Sequence, residues 1–167
     1  MRIPRRLCVV LLALPVMAAE NDSKAIFLKH WQIAKEFTLA VAEAMPAAGY
    51  DFKPNPEELS FGQLMIHIAA QNSDSCASAV GTEALAEPTS TDRQTAIKFL
   101  TDTFDKCAKE LDAMPPEQLD KEVYKFQGQP VLAREALWYT FTHMAHHRGQ
   151  AEVYLRVKNI KPPAWRF

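Results

Sequence analysis

The sequence lacks charge of one sign. Its 19 Lys and Arg stand against 20 Asp and Glu, a net charge of -1, and without a basic stripe the electrostatic footprint of a nucleic-acid-binding surface is missing. It also lacks an apolar run near the ~20 residues that a bilayer-spanning helix needs. The run from Leu7 to Met17 reaches only about half that length. No glycine-rich phosphate loop, nucleophile elbow, repeat or low-complexity tract is present. What remains is globular in character: 48% apolar and 23% charged residues make the chain too apolar for disorder. Its 167 residues suit one domain with a sizeable core.

The first residues read as an export signal rather than as part of that domain. Arg2, Arg5 and Arg6 precede the short apolar run, and small residues follow it, the layout of a secretory signal peptide cleaved after Ala18 or Ala19. Arg6 and Leu7 stand where a lipoprotein would need small residues before Cys8. The expectation is a signal peptide over residues 1–19, a domain over residues 20–167, export to a bacterial periplasm and no stable membrane anchor. Export permits a disulfide between Cys76 and Cys107, the cysteines left after cleavage. On consecutive antiparallel helices, however, their levels would differ by roughly 15–20 Å, while a disulfide needs Cα atoms within about 7 Å. Two buried free thiols are therefore expected.

Four helical spans are legible. Phe27, Trp31, Ala34, Thr38, Val41 and Met45 recur at helical steps within a first helix over 22–45, stopped by Pro46 and Gly49. Ser60 and Gln63 have the spacing of a capping box that opens a second helix, ending near Val80 and Gly81. Thr91 and Gln94 repeat that spacing before a third, whose seam is Ile97, Leu100, Phe104, Cys107 and Leu111. Pro115 and Pro116 close it. The segment 121–133 alternates and is rich in turn residues, which predicts an extended crossover or loose hairpin. A last helix runs from Arg134 to Lys158. The fold class is all-α, a four-helix bundle of up-and-down type, in which the second and fourth helices run parallel.

Against this background, "THMAHHRGQ" places three of the chain's 5 histidines within five residues. His143 and His147 are i and i+4, stacked on one face among Ala136, Leu137, Thr140, Met144, Ala151 and Leu155. With parallel helices, His67 comes level with that pair to within roughly one to two turns. Burying three bare imidazoles is costly unless each is hydrogen-bonded or metal-bound, so His67, His143 and His147 are the candidate metal ligands. Three protein nitrogens leave an open coordination position, the pattern of catalytic rather than structural zinc. Imidazoles suit zinc, nickel, copper and iron alike; a divalent ion, zinc or nickel, is expected. His146 lies about 100° round the helix from His147 and is read as outside the ligand set, as is His30. Arg148 and Gln150 either hold the motif against a neighbouring helix and fix a histidine tautomer, or are a packing and surface pair.

"SFGQLMIHIAAQN", "THMAHHRGQ" and the closing "YLRVKNIKPP" resemble the DinB family, which is similar to the thiol-dependent transferase and maleylpyruvate isomerase group. The resemblance covers essentially the whole chain after the leader. It implies a four-helix bundle with one divalent metal on three histidines, by motif His67, His143 and His147, and pairing as a homodimer. Two functions follow as expectations. One is a metal-dependent hydrolase or thiol transferase acting on a small molecule. The alternative is a metal-binding or stress-related module without turnover. The first wants a general base; Asp74, Tyr50, Asp51, Glu57 and Tyr124 are candidates that spacing does not separate, and Gln71 can only hydrogen-bond.

Overall fold

The computed structural model describes the backbone from residue 15 and side chains from residue 23, through residue 167. The expected signal peptide over residues 1–19 lies outside the residues described in full. Helices α1 (Pro15–Ala44), α2 (Phe61–Val80), α3 (Arg93–Ala113) and α4 (Ala133–Val157) cover the four expected spans, α1 starting seven residues before its expected start, and short 3-10 turns lie at Ala47–Gly49 and Pro116–Asp120. The fold is all-α apart from one hairpin. None of the described helices is long and apolar enough to cross a membrane.

Local chemistry explains the boundaries. Ser60 and Gln63 form the capping box that their spacing predicts: the Gln63 N–H donates to Ser60 Oγ at 3.2 Å, and the Ser60 N–H donates to Gln63 Oε1 at 2.8 Å. The second box does not form on Thr91 and Gln94. Asp92 caps α3 one residue later, its Oδ1 accepting the Thr95 N–H at 3.0 Å and its Oδ2 the Thr95 hydroxyl at 2.7 Å. An ionised carboxylate is a stronger acceptor than a hydroxyl and complements the helix dipole. Segment 121–133 is a hairpin, β1 (Glu122–Phe126) paired antiparallel with β2 (Gln129–Leu132). Gln127 and Gly128 turn it with φ of 49° and 80°, the left-handed pair that a two-residue hairpin turn requires.

Helix direction departs from the up-and-down expectation. Residues 81–92 do not make a tight turn but run back along the bundle. Their extended reach of roughly 40 Å exceeds the ~30 Å length of α2. The Leu85 N–H donates to Ser73 Oγ at 2.8 Å part-way along. At the far end the Thr91 carbonyl lies against Gly62, where a Cβ would stand 2.1 Å from that oxygen. Arg93 then reaches the carbonyls of Glu43 and Met45 at the close of α1. At the opposite end, Lys24 donates to the carbonyls of Asp112 and Met114. Thus α2 and α3 run parallel, α1 is antiparallel to both, and α4 is parallel to α1 and antiparallel to α2.

The expectation for the cysteines is overturned for the same reason. Cys76 and Cys107 form a disulfide with Cα atoms 5.7 Å apart. In parallel helices, positions at similar distances from their N-termini come level, whereas the free-thiol reading assumed antiparallel ones. The bridge is buried in the main core with Trp31, Phe37, Phe61, Leu100 and Phe104. The Trp31 indole satisfies its N–H there on the Phe104 carbonyl at 3.0 Å. Replacing both cysteines by serine is expected to lower unfolding free energy by roughly 2–5 kcal/mol, measured by denaturant titration of the oxidised parent and the variant.

Candidate metal centre

The α2–α4 contact builds the site. At one end the Tyr154 hydroxyl donates to the Leu59 carbonyl at 2.9 Å; at the other, Gln118 donates to the Ala79 carbonyl at 3.4 Å, and Ala79 packs with Ala133 and Ala136. Counted from the Tyr154–Leu59 contact, His67 lies about 12 Å along α2 and His147 and His143 about 10 and 16 Å along α4. The level match expected from parallel helices is thus delivered by antiparallel ones. The i, i+4 stacking of His143 and His147 does not depend on helix direction.

The three imidazoles converge through their Nε2 atoms. His67 Nε2 is 3.2 Å from His147 Nε2 and 3.1 Å from His143 Nε2. One nitrogen from each ring lies within 4.8 Å of the others, and all three residues are half-buried. A single proton on His67 Nε2 would be shared between two acceptors and serve one of them poorly. A cation between the rings would take a lone pair from each. Imidazole nitrogens on tetrahedral zinc at 2.0–2.1 Å lie ~3.3 Å apart, close to both observed separations. By donor type and spacing, His67, His143 and His147 could hold a metal ion.

Neighbouring groups prepare two of the rings differently. Gln150 Oε1 accepts from His147 Nδ1 at 2.7 Å, which leaves the lone pair on Nε2, aimed at the other rings. The Gln150 amide nitrogen lies 3.3 Å from His146 Nε2. His146 is itself exposed and outside the convergent set. Among the described residues, His143 Nδ1 is buried without a hydrogen-bond partner. Burial, reinforced by the neighbouring His147, His67 and His146, lowers the His143 pKa from 6.5 to about 4. Burial also lowers that of His147, opposed by the Gln150 hydrogen bond. Both rings are therefore neutral at pH 7, the form that binds metals.

The other expected residues separate clearly. Arg148 holds α4 against α1: its guanidinium lies 4.3 Å from the Phe37 ring centroid and donates to Thr38 Oγ1 at 3.4 Å. Tyr50 belongs to the core, its hydroxyl donating to the Ala42 carbonyl at 2.8 Å and its phenol pushed well above the ordinary range, chiefly by burial. Gln71 donates along its own helix to Ser75 Oγ at 2.9 Å. Asp51, Glu57 and Asp74 are exposed. Tyr124 stands on β1 with its phenol raised by burial and by Tyr139 and Glu135. Sequence reasoning passed over Tyr139, whose ring centroid is 5.7 Å from that of His143. Its i-4 position relative to His143 was the available signal. Among the described residues, none of the charges shifting His143 or His147 is a carboxylate.

A sequence model described as the DinB family matches residues 17–165. A Bacillus subtilis protein described as uncharacterized protein YjoA is 28% identical over 147 residues, 84% of this chain and 91% of its own length. The crystal structure of that DinB-like protein superposes with a TM-score of 0.69 at 21% identity over the structural match, covering 83% of this chain and 95% of its own. A DinB-like protein from Bacillus cereus gives a TM-score of 0.73 at 21% identity, covering 84% and 95%. These structural likenesses establish the shared fold.

The lowered pKa values fix the sign of a pH effect. Below 6.5 the unfolded imidazoles take up protons before the folded His143 does, so proton uptake favours unfolding. Metal-free protein is expected to lose stability progressively as pH falls from about 6.5 towards 4. Replacing His143 by Gln should flatten that part of the profile. Chelator-treated samples followed by thermal denaturation across this range check it; an unchanged slope in the variant contradicts the assignment.

Proposed function

This chain belongs to the DinB family, and on that premise we propose that it is an exported, metal-dependent enzyme acting on a small molecule. A single divalent ion, zinc or nickel, would be held by His67, His143 and His147. The observation carrying this reading is the convergence of three Nε2 atoms from two helices at hydrogen-bonding separation, with one ring oriented by Gln150. The bound ion would supply Lewis acidity at an open position towards a water or a thiol. The protein's own part is to keep His143 and His147 neutral and to fix His147 in its Nδ1–H tautomer.

Hydrolysis and thiol transfer are the two reaction classes this donor set serves. Export favours hydrolysis, because low-molecular-weight thiol cofactors are chiefly cytoplasmic. Supporting export are the leader-like first residues and the buried Cys76–Cys107 disulfide, a bond that persists in oxidising compartments. With Asp51, Glu57 and Asp74 exposed and the Tyr50 hydroxyl committed to the Ala42 carbonyl, none of the candidate bases is singled out, which suits the second reading, a metal-binding module without turnover. The presence or absence of metal-dependent turnover separates them.

Elemental analysis of protein purified without a polyhistidine tag is expected to find one divalent metal per chain in the parent. His67→Ala and His147→Ala should each lose it. Stoichiometric metal in both variants would refute the site. Turnover in an ester and thiol substrate screen that disappears on chelation and returns with metal identifies the enzyme; full metal without turnover favours the module. Gln150→Leu should keep the fold and weaken metal affinity roughly 10–100-fold, measured by competition with a chromogenic chelator.

A further inference from the structure

A cavity of about 610 Å³ opens between α1, α4 and the C-terminal residues 165–167, and none of the three convergent histidines lines it. Its walls include Phe27, Ile33, Leu137, Phe141 and Met144. At its rim Trp138, Trp165 and Phe167 are 69%, 73% and 80% exposed. Along α1 it extends from Ser23 to Ala34, roughly 16 Å of helix. Size and lining fall within the range of small-molecule sites.

Its charge is one-sided. Among the described residues Lys24, Arg134, Arg148 and Arg166 line it, and no Asp or Glu does, although acidic residues outnumber Lys and Arg in the sequence. Three of these cations are already engaged: Lys24 with the Asp112 and Met114 carbonyls, Arg134 with Asp120, and Arg166 with Glu36. Arg148 differs. It stacks on the Phe37 ring and makes one long polar contact, to Thr38 Oγ1, while Glu152, one turn on, acts on it electrostatically but forms its ion pair with Arg156 at 3.6 Å. Among the described residues no carboxylate forms an ion pair with Arg148. A half-buried guanidinium on an apolar cavity whose described lining holds no acid matches a carboxylate delivered by an apolar body.

We propose that this cavity binds an amphipathic carboxylate, with the head group on Arg148 and an unbranched acyl chain along α1. The ligand class follows from the charge asymmetry and from the length of the apolar trough. The site lies on the α1 side of α4, whereas the histidines face α2. The proposal therefore stands or falls independently of the metal reading.

Trp138 and Trp165 provide the readout. Titrating purified protein with dodecanoate and, separately, with dodecanol should give saturable fluorescence changes, with the acid bound at least roughly tenfold more tightly. Arg148→Met should remove that preference while leaving alcohol binding in place, and Ala145→Phe, which narrows the cavity, should weaken both ligands. If Arg148→Met does not fold, the acid–alcohol comparison in the parent decides. No saturable change, equal affinity for the two ligands, or an acid preference that survives in folded Arg148→Met overturns the proposal. A dimer seen by sedimentation, broken by Trp138→Ser and accompanied by no response to dodecanoate, also overturns it and assigns the surface to a second copy.

Discussion

The path of residues 81–92 governs the bundle. Because this strap returns the chain to the end where α2 began, α3 must run parallel to α2. The connection after α3, residues 114–132, is taken up by the second 3-10 turn and the β1–β2 hairpin and stays at that end of the bundle, so α4 starts beside the end of α2 and runs against it. The return is anchored where Gly62 admits the Thr91 carbonyl and where Ser73 accepts the Leu85 N–H. A side chain at Gly62 would meet backbone rather than a movable side-chain tip, so the contact requires glycine for space. The Cys76–Cys107 bridge follows from this one choice of direction.

The histidine cluster illustrates how a bundle converts spacing into a site. Two rings come from successive turns of α4 and need no tertiary information to share a face. The third needs α2 at the correct height, which the Tyr154–Leu59 hydrogen bond marks. Gln150 adds direction, since a histidine with its Nδ1–H engaged can offer only Nε2. Among the described residues His143 has no such partner for Nδ1, so its orientation rests on packing and on what the three nitrogens share.

Much of this was legible in residue types and spacing. The four helices, the Ser60–Gln63 cap and the inward face of His143 and His147 are local properties, set within a few residues of chain. Helix direction is not local. The loop 81–92 carries no signal separating a turn from a strap, and assuming a turn led to parallel α2 and α4 and to unpaired cysteines. His67 nevertheless comes level with the pair because it sits in the first half of α2 while the pair sits centrally in α4. A central level is reached from either end of a partner helix. Tyr139 was missed because an aromatic residue on an amphipathic helix is more often a packing group than a site group. The role of Gln150 was left open until its amide could be placed against two imidazoles.

The bundle is cross-linked unevenly, and this bears on what a metal would do. The disulfide ties α2 to α3 covalently. The α2–α4 seam is held by hydrogen bonds near its ends and by three imidazoles whose lone pairs converge. Protonation opposes that convergence, since each added charge would face the other rings. A divalent ion would reverse the sign, turning this part of the seam into a second cross-link between the two helices. Binding the folded form alone, it would stabilise the fold in proportion to its affinity. Metal occupancy and the docking of α4 are then one equilibrium, and the orientation of His147 by Gln150 contributes to both.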